Sequence, residues 1–266
     1  MAQQIICIIA GQRAGTNALQ RAIEESGAAI NFGEIFHPQP VGMTGPSRMF
    51  KDFARNNNIC VADMMDRKGT TDIAEKYVAW IKEGAQPKHA LIDVKFNSWS
   101  VLSPAFRFAL EEPFFLRYLK DREKALFIYI WRENLAEQVL SDLISNEIKI
   151  WHNLDADKVA GKNFEIPMQR AKWLARLICR AEADMREYLW NYENKIMIKY
   201  EDLFEDGVLT DKFKTQFKKL IDIDFPSGLL GYIRPNTANK REIATNYDEV
   251  VAAINDIAAK HRRLGK

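Results

Sequence analysis

Four short apolar runs punctuate the chain: Ile5–Ala10 (IICIIA), Ala90–Phe96 (ALIDVKF), Ala125–Trp131 (ALFIYIW) and Lys195–Tyr200 (KIMIKY). The first three are apolar along most of their length rather than alternating, which is the pattern of strands buried on both faces. Apolar positions recur at helical spacing in between, around 71–83, 104–121, 134–150 and 167–193. Residues 17–26 place Ala18, Leu19, Ala22 and Ile23 on one face, with Gly27 as a stop. Strands that alternate with helices predict βαβ units, because parallel neighbours need a crossover between them. The expected fold is therefore α/β, a mostly parallel sheet flanked by helices, with Ile5–Ala10 as its central strand. The stretch 33–48 (GEIFHPQPVGMTGPSR) is rich in proline and glycine and predicts a surface loop. Phe213 and Phe217 are four residues apart in KFKTQFKK, which reads as an amphipathic surface helix rather than a nucleic-acid stripe. No repeat, low-complexity tract or linker divides the chain, so one domain over residues 1–266 is expected.

Composition narrows the class. With 47% hydrophobic and 28% charged residues in 266, the chain is long enough and apolar enough for a full core. A formal charge of +2 excludes a global field for nucleic acid, so any anion site is local. Cys7, Cys60 and Cys179 show neither CxxC nor zinc spacing and read as reduced, buried thiols. The apolar run at residues 5–10 is too short for a membrane span and has no basic segment or cleavage site beside it. A soluble, cytoplasmic protein is expected.

The chemistry concentrates where the first strand ends. Strand, glycine-bearing loop and helix follow one another across Gly11-Gln12-Arg13-Ala14-Gly15-Thr16-Asn17, and such a junction aims free backbone N–H groups and a helix N-terminus at one point. Gly15 permits close backbone approach, Thr16 and Asn17 offer side-chain donors, and Arg13 adds a bidentate cation, so a phosphate or sulfonate fits. The nucleoside-triphosphatase loop GxxxxGK[ST] is absent, since Gly15 stands where the lysine before Thr16 would be, and no acidic Mg²⁺ ligand is evident on a neighbouring strand end. Alone, the loop is also compatible with an ordinary βα turn.

Further segments give it a resemblance. GQRAGTNALQ is similar to the RSGT loop of sulfotransferases that use 3′-phosphoadenosine 5′-phosphosulfate (PAPS). IYIWRENLAEQVLSDL supplies Arg132 at a strand end and Ser141 on the following helix, the pair that grips the donor's 3′-phosphate in that family. Independently, a cation at the carboxyl end of a parallel strand stands where doubly wound sheets bind ligands. Gly33-Glu34-Ile35-Phe36, Arg132 to Ser141 and Trp151-His152 resemble the bacterial trehalose 2-sulfotransferase group in particular, and IKYEDL (198–203) resembles a structural segment common in the wider family. One departure is Ala14, which stands where a serine is usual.

The resemblance implies a P-loop-type sulfotransferase fold, PAPS as co-substrate, 3′,5′-adenosine bisphosphate as product, no metal, a saccharide or small-molecule acceptor, and a homodimer. Gln12, Arg13, Ala14, Gly15, Thr16, Asn17, Arg132, Ser141 and the late-loop Arg234 would hold the donor, although the segment around Arg234 also reads as a solvated loop. Arg13 would also offset charge during transfer, with Glu34 as general base, a residue that also reads as a solvated loop carboxylate. His37 is a second candidate base or an acceptor contact, and also suits a turn-stabilising role. Lys95 interrupts an apolar strand, where a buried ammonium needs an anion: it would contact sulfate or acceptor, pair with Asp93, or snorkel to solvent. Trp151 and His152 would line the acceptor pocket or pack on a helix. Two other readings stay open, a metal-dependent P-loop kinase and a non-catalytic nucleotide-binding protein.

Overall fold

The computed structural model describes residues 3–39, 42, 43, 45–99, 101–103, 113–149, 161–225 and 239–264. Its main sheet contains β1 (Ile5–Ala10), β2 (Ala29–Glu34), β3 (His89–Lys95), β4 (Leu126–Trp131) and β5 (Lys195–Lys199), in the order β2-β3-β1-β4-β5. β1 pairs in parallel with both β3 and β4, and β2 pairs in parallel with β3. Every residue of β1 and β3 is buried. The fold is the expected α/β arrangement, and the continuous apolar runs are explained by helices that cover the sheet.

The helices are α1 (Thr16–Glu25), α2 (Phe50–Asn56), α3 (Arg67–Ala85), α4 (Phe114–Asp121), α5 (Leu135–Ile148), α6 (Met168–Leu189), α7 (Asp211–Ile221), α8 (Lys240–Ile243) and α9 (Tyr247–Leu264). The chain divides into two compact units. The first, comprising Met1–Ala10, Gly15–Ile130 and Asn191–Gly231, carries the sheet, with α1 packed on β2, α3 on β3 and α7 on β5. Phe213 and Phe217 are buried on the inner face of α7, as their spacing implies. The second comprises Gly11–Ala14, Trp131–Trp190 and Tyr232–Lys266. It is helical: α5, α6 and α9 pack around Val139, Leu140, Ile144, Ala171, Ala175, Val250 and Ile254. The Asn246 side chain ties α9 to the segment before α6 by bonding both the N–H and the carbonyl of Ile166, at 2.9 Å each.

Two expectations change. Residues 33 and 34 are not part of the loop; they end β2, the strand missing from the sequence reading. AINFGE escapes a strand pattern because it contains a bulge: the register to β3 shifts between Asn31 and Glu34, and Gly33 adopts φ +62°. Buried Asn31 holds the irregularity, accepting from Gly33 N at 2.9 Å and donating to Gly42 O at 2.7 Å. The three cysteines form no disulfide, but only Cys7 is buried; Cys60 is exposed and Cys179 intermediate. Among the described residues no helix is long and apolar enough to cross a membrane.

Gly15 is fixed twice over. It stands at the N-terminus of α1 with φ +78°, and a Cβ there would lie 2.1 Å from Cε2 of Tyr200, the tyrosine of the YEDL segment. That segment therefore buttresses the loop. Gly15→Ala should destabilise the protein by at least about 1–3 kcal/mol in chemical denaturation, the range for a strained left-handed residue. Adding Tyr200→Ala should recover only the steric part.

Candidate functional site

The described candidate residues fall into two clusters, one in each unit. In the first unit, the loop leaves β1 at Ala10, which pairs in register with Lys95 at the end of β3. The Lys95 ammonium, only 4% exposed at its side chain, lies 2.7 Å from Asp93 Oδ2, donates to Thr16 Oγ1, and sits 3.9 Å from Glu34 Oε1. Asp93 and Lys95 share a face because side chains alternate along a strand, and Glu34 pairs with Asp93 in the sheet register. Gln20 of α1 completes the group, donating through Nε2 to Asp93 Oδ2 at 2.5 Å. Lys95 donates to the Thr16 oxygen, so the threonine's own proton points elsewhere, free to donate to an anion. The first turn of α1 carries no acidic residue, and Gly15 makes no side-chain cap. No acidic side chain of α1's own first turn opposes an anion at this N-terminus.

The second unit holds the front of the loop. Arg13, itself at φ +63°, donates from Nε to Ser141 Oγ at 3.1 Å across 128 residues of sequence. Arg132 Nη1 donates to Arg13 O at 3.4 Å, and Gln138 Nε2 to Gln12 O at 2.8 Å. The guanidinium of Arg186 stacks on Trp131, next to Arg132, at 4.6 Å from the ring centroid. Asn134 caps α5 by accepting from Glu137 N at 3.0 Å, which orients the helix that carries Gln138 and Ser141. The Ala14 methyl is buried, so the residue at this departure from the family loop is a packing element.

The local charge is predominantly positive. Burial pushes the Arg13 guanidinium below its ordinary range, Asp142 partly restores it, and the charge of Arg132 lowers it again. The Asp142 carboxyl is raised by burial, against the opposing pull of Arg13 and Arg170. Lys240, buried and paired with the Glu137 carboxylate, is lowered first by burial and then by Arg132 and Arg13, with Glu137 working the other way. Cations that depress one another's proton affinity are poised for an anion.

His37 is half-buried and folds onto its own turn, with Nδ1 2.8 Å from Gln39 O and 3.1 Å from Gln39 N. Asn17 is half-buried at the start of α1. Trp151, His152 and Arg234 lie outside the described residues. Sequence reasoning missed Gln20, Glu137, Gln138, Asp142 and Lys240, and passed over Asp93 as more than a partner for Lys95. For Asp93 the signal was present, an acid two residues before a lysine in an apolar strand. For Lys240, one of three cations in YIRPNTANKR, nothing in the sequence marked it as the buried one.

No family model matches the sequence, and no curated protein matches it. Among solved structures, the chain is similar to the sulfotransferase domain of the olefin synthase from Synechococcus PCC 7002. The two share 14% sequence identity over 96% of this chain and 88% of that one, with a TM-score of 0.41.

The Lys240–Glu137 pair leads to a test. Lys240→Met removes a cation and releases a carboxylate beside the arginines. The dissociation constant for inorganic phosphate, followed by thermal shift, should rise about tenfold, within the range for a lost charged hydrogen bond.

Proposed function

We propose that the protein is a sulfotransferase that moves a sulfuryl group from PAPS to an acceptor hydroxyl, with a saccharide as the favoured acceptor class. The observation that carries this reading is the hydrogen bond from Arg13 to Ser141, with Arg132 on the carbonyl of Arg13. These three are among the residues that the sequence resemblance selects from segments far apart in the chain, and they meet in the fold. The resemblance to the trehalose 2-sulfotransferase group supplies the saccharide, the homodimer and the donor; a cytoplasmic location follows from the sequence reading.

In this reading Gln12 to Asn17 cradle the 5′-phosphosulfate through backbone amides, Arg13 and the Thr16 hydroxyl, while Arg132 and Ser141 take the 3′-phosphate. Lys240 adds charge on that side. The acceptor oxygen attacks sulfur in line with the departing phosphate oxygen. The new S–O bond forms as the bond to the 5′-phosphate breaks, 3′,5′-adenosine bisphosphate leaves, and Glu34 takes the acceptor's proton. Glu34 ends β2, on the edge where doubly wound sheets bind ligands.

Calorimetry with 3′,5′-adenosine bisphosphate and with ATP, each with and without Mg²⁺, tests donor choice. Metal-independent binding of the bisphosphate, weakened about 10–100-fold by Arg132→Ala, is expected. A preference for ATP with Mg²⁺ would instead identify a kinase. Glu34→Gln should preserve bisphosphate binding and lower transfer of radiolabelled sulfate by about 10² to 10⁴. Bisphosphate binding without any transfer across sugars and alcohols would mark a non-catalytic protein.

A further inference from the structure

Lys95 occupies an unusual place for a lysine. Its ammonium contacts the hydroxyl of the loop threonine Thr16 and the carboxylate of Asp93 on its own strand β3, with the Glu34 carboxylate of β2 3.9 Å away. Three oxygen-bearing side chains thus converge on one cation, from the loop helix and two strands. In nucleotide-binding loops that depend on Mg²⁺, the metal is held by the threonine or serine that ends the loop together with an aspartate on a strand beside it. Thr16 opens α1, and β3 is the strand paired with β1. The ligand types and their elements correspond; the cation differs.

We propose that Lys95 is a resident cation in the metal position of this loop, so that anion binding here proceeds with an ammonium in place of a divalent ion. The inference rests on the reading of the loop as a sulfate-donor site and says how that site dispenses with metal. It also accounts for the lysine missing from the loop, since the positive charge arrives from the adjacent strand instead.

The substitution has a consequence for charge. A divalent ion between Asp93 and Glu34 would neutralise both carboxylates; one ammonium neutralises one. Asp93 is the nearer at 2.7 Å, is fully buried and is fixed by Gln20, so the ammonium belongs to Asp93. Glu34 stands farther from the ammonium, at 3.9 Å. Lys95 is thus a positioning residue: it orients Thr16 as a donor.

The test is to remove the ammonium and offer a metal. Mn²⁺ binding to the full chain is followed by electron paramagnetic resonance, and thermal unfolding is recorded in Mn²⁺ and in EDTA. Wild type should bind no Mn²⁺ through Asp93. Lys95→Ala should gain one Mn²⁺ site with a dissociation constant at or below about 1 mM, the upper range for oxygen-ligand cation sites. Its melting temperature should rise with Mn²⁺, and the additional change Asp93→Asn should abolish both effects. A Lys95→Ala protein that unfolds in EDTA and folds with Mn²⁺ supports the proposal, and one that Mn²⁺ neither binds nor rescues overturns it. Mn²⁺ bound by wild type, in a manner lost on Asp93→Asn, overturns it as well. No sulfate donor enters this experiment. Failure of the donor reading would appear in the bisphosphate calorimetry, and failure of the resident cation would appear here.

Discussion

A buried ammonium in an apolar strand has to be balanced, and that requirement organises the carboxyl-terminal edge of the sheet. Lys95 is almost wholly withdrawn from water, and breaking such a pair by removing one partner costs about 3–5 kcal/mol. Its balance comes from Asp93 on its own strand, and Asp93 in turn fixes Gln20 of α1. The same ammonium bonds the first residue of that helix. One ion pair therefore ties β3 to the start of α1, and so fixes the point at which the loop turns from strand to helix.

For the front of the loop the constraint is of a different kind. Gln12 and Arg13 present carbonyls that Gln138 and Arg132 bond, and Ser141 receives the Arg13 side chain. These contacts hold the loop backbone in a left-handed turn at Arg13. The loop thus changes partners in mid-course, since its front packs with the helical unit and its back, from Gly15, with the sheet.

Much of this was legible in sequence, and what was not has physical reasons. β1, β3 and β4 announce themselves as unbroken apolar runs because both their faces are covered. The loop and Arg132 were visible because a cation or glycine at a strand end contradicts the apolar pattern around it. β2 was hidden because Asn31 and Gly33, residues that normally mark turns, serve a bulge within it. The Lys240–Glu137 pair was unreadable because burial of one cation among several is decided by packing across more than a hundred residues. Asp93 lay between these cases, since its spacing to Lys95 was plain but its bond to Gln20 depends on how α1 lies on the sheet.

The bulge in β2 has a further implication. Side chains alternate between the two faces of a strand, so the count of residues between Asn31 and Glu34 determines the surface on which the carboxylate emerges. The extra residue at this bulge acts as a phase shift. Strict alternation from Asn31 would put Gly33 opposite Asp93, and the extra residue passes that place to Glu34, on the face that Asp93 and Lys95 share. In this chain the address of an acidic group is written in parity, which a comparison of residue types alone would pass over.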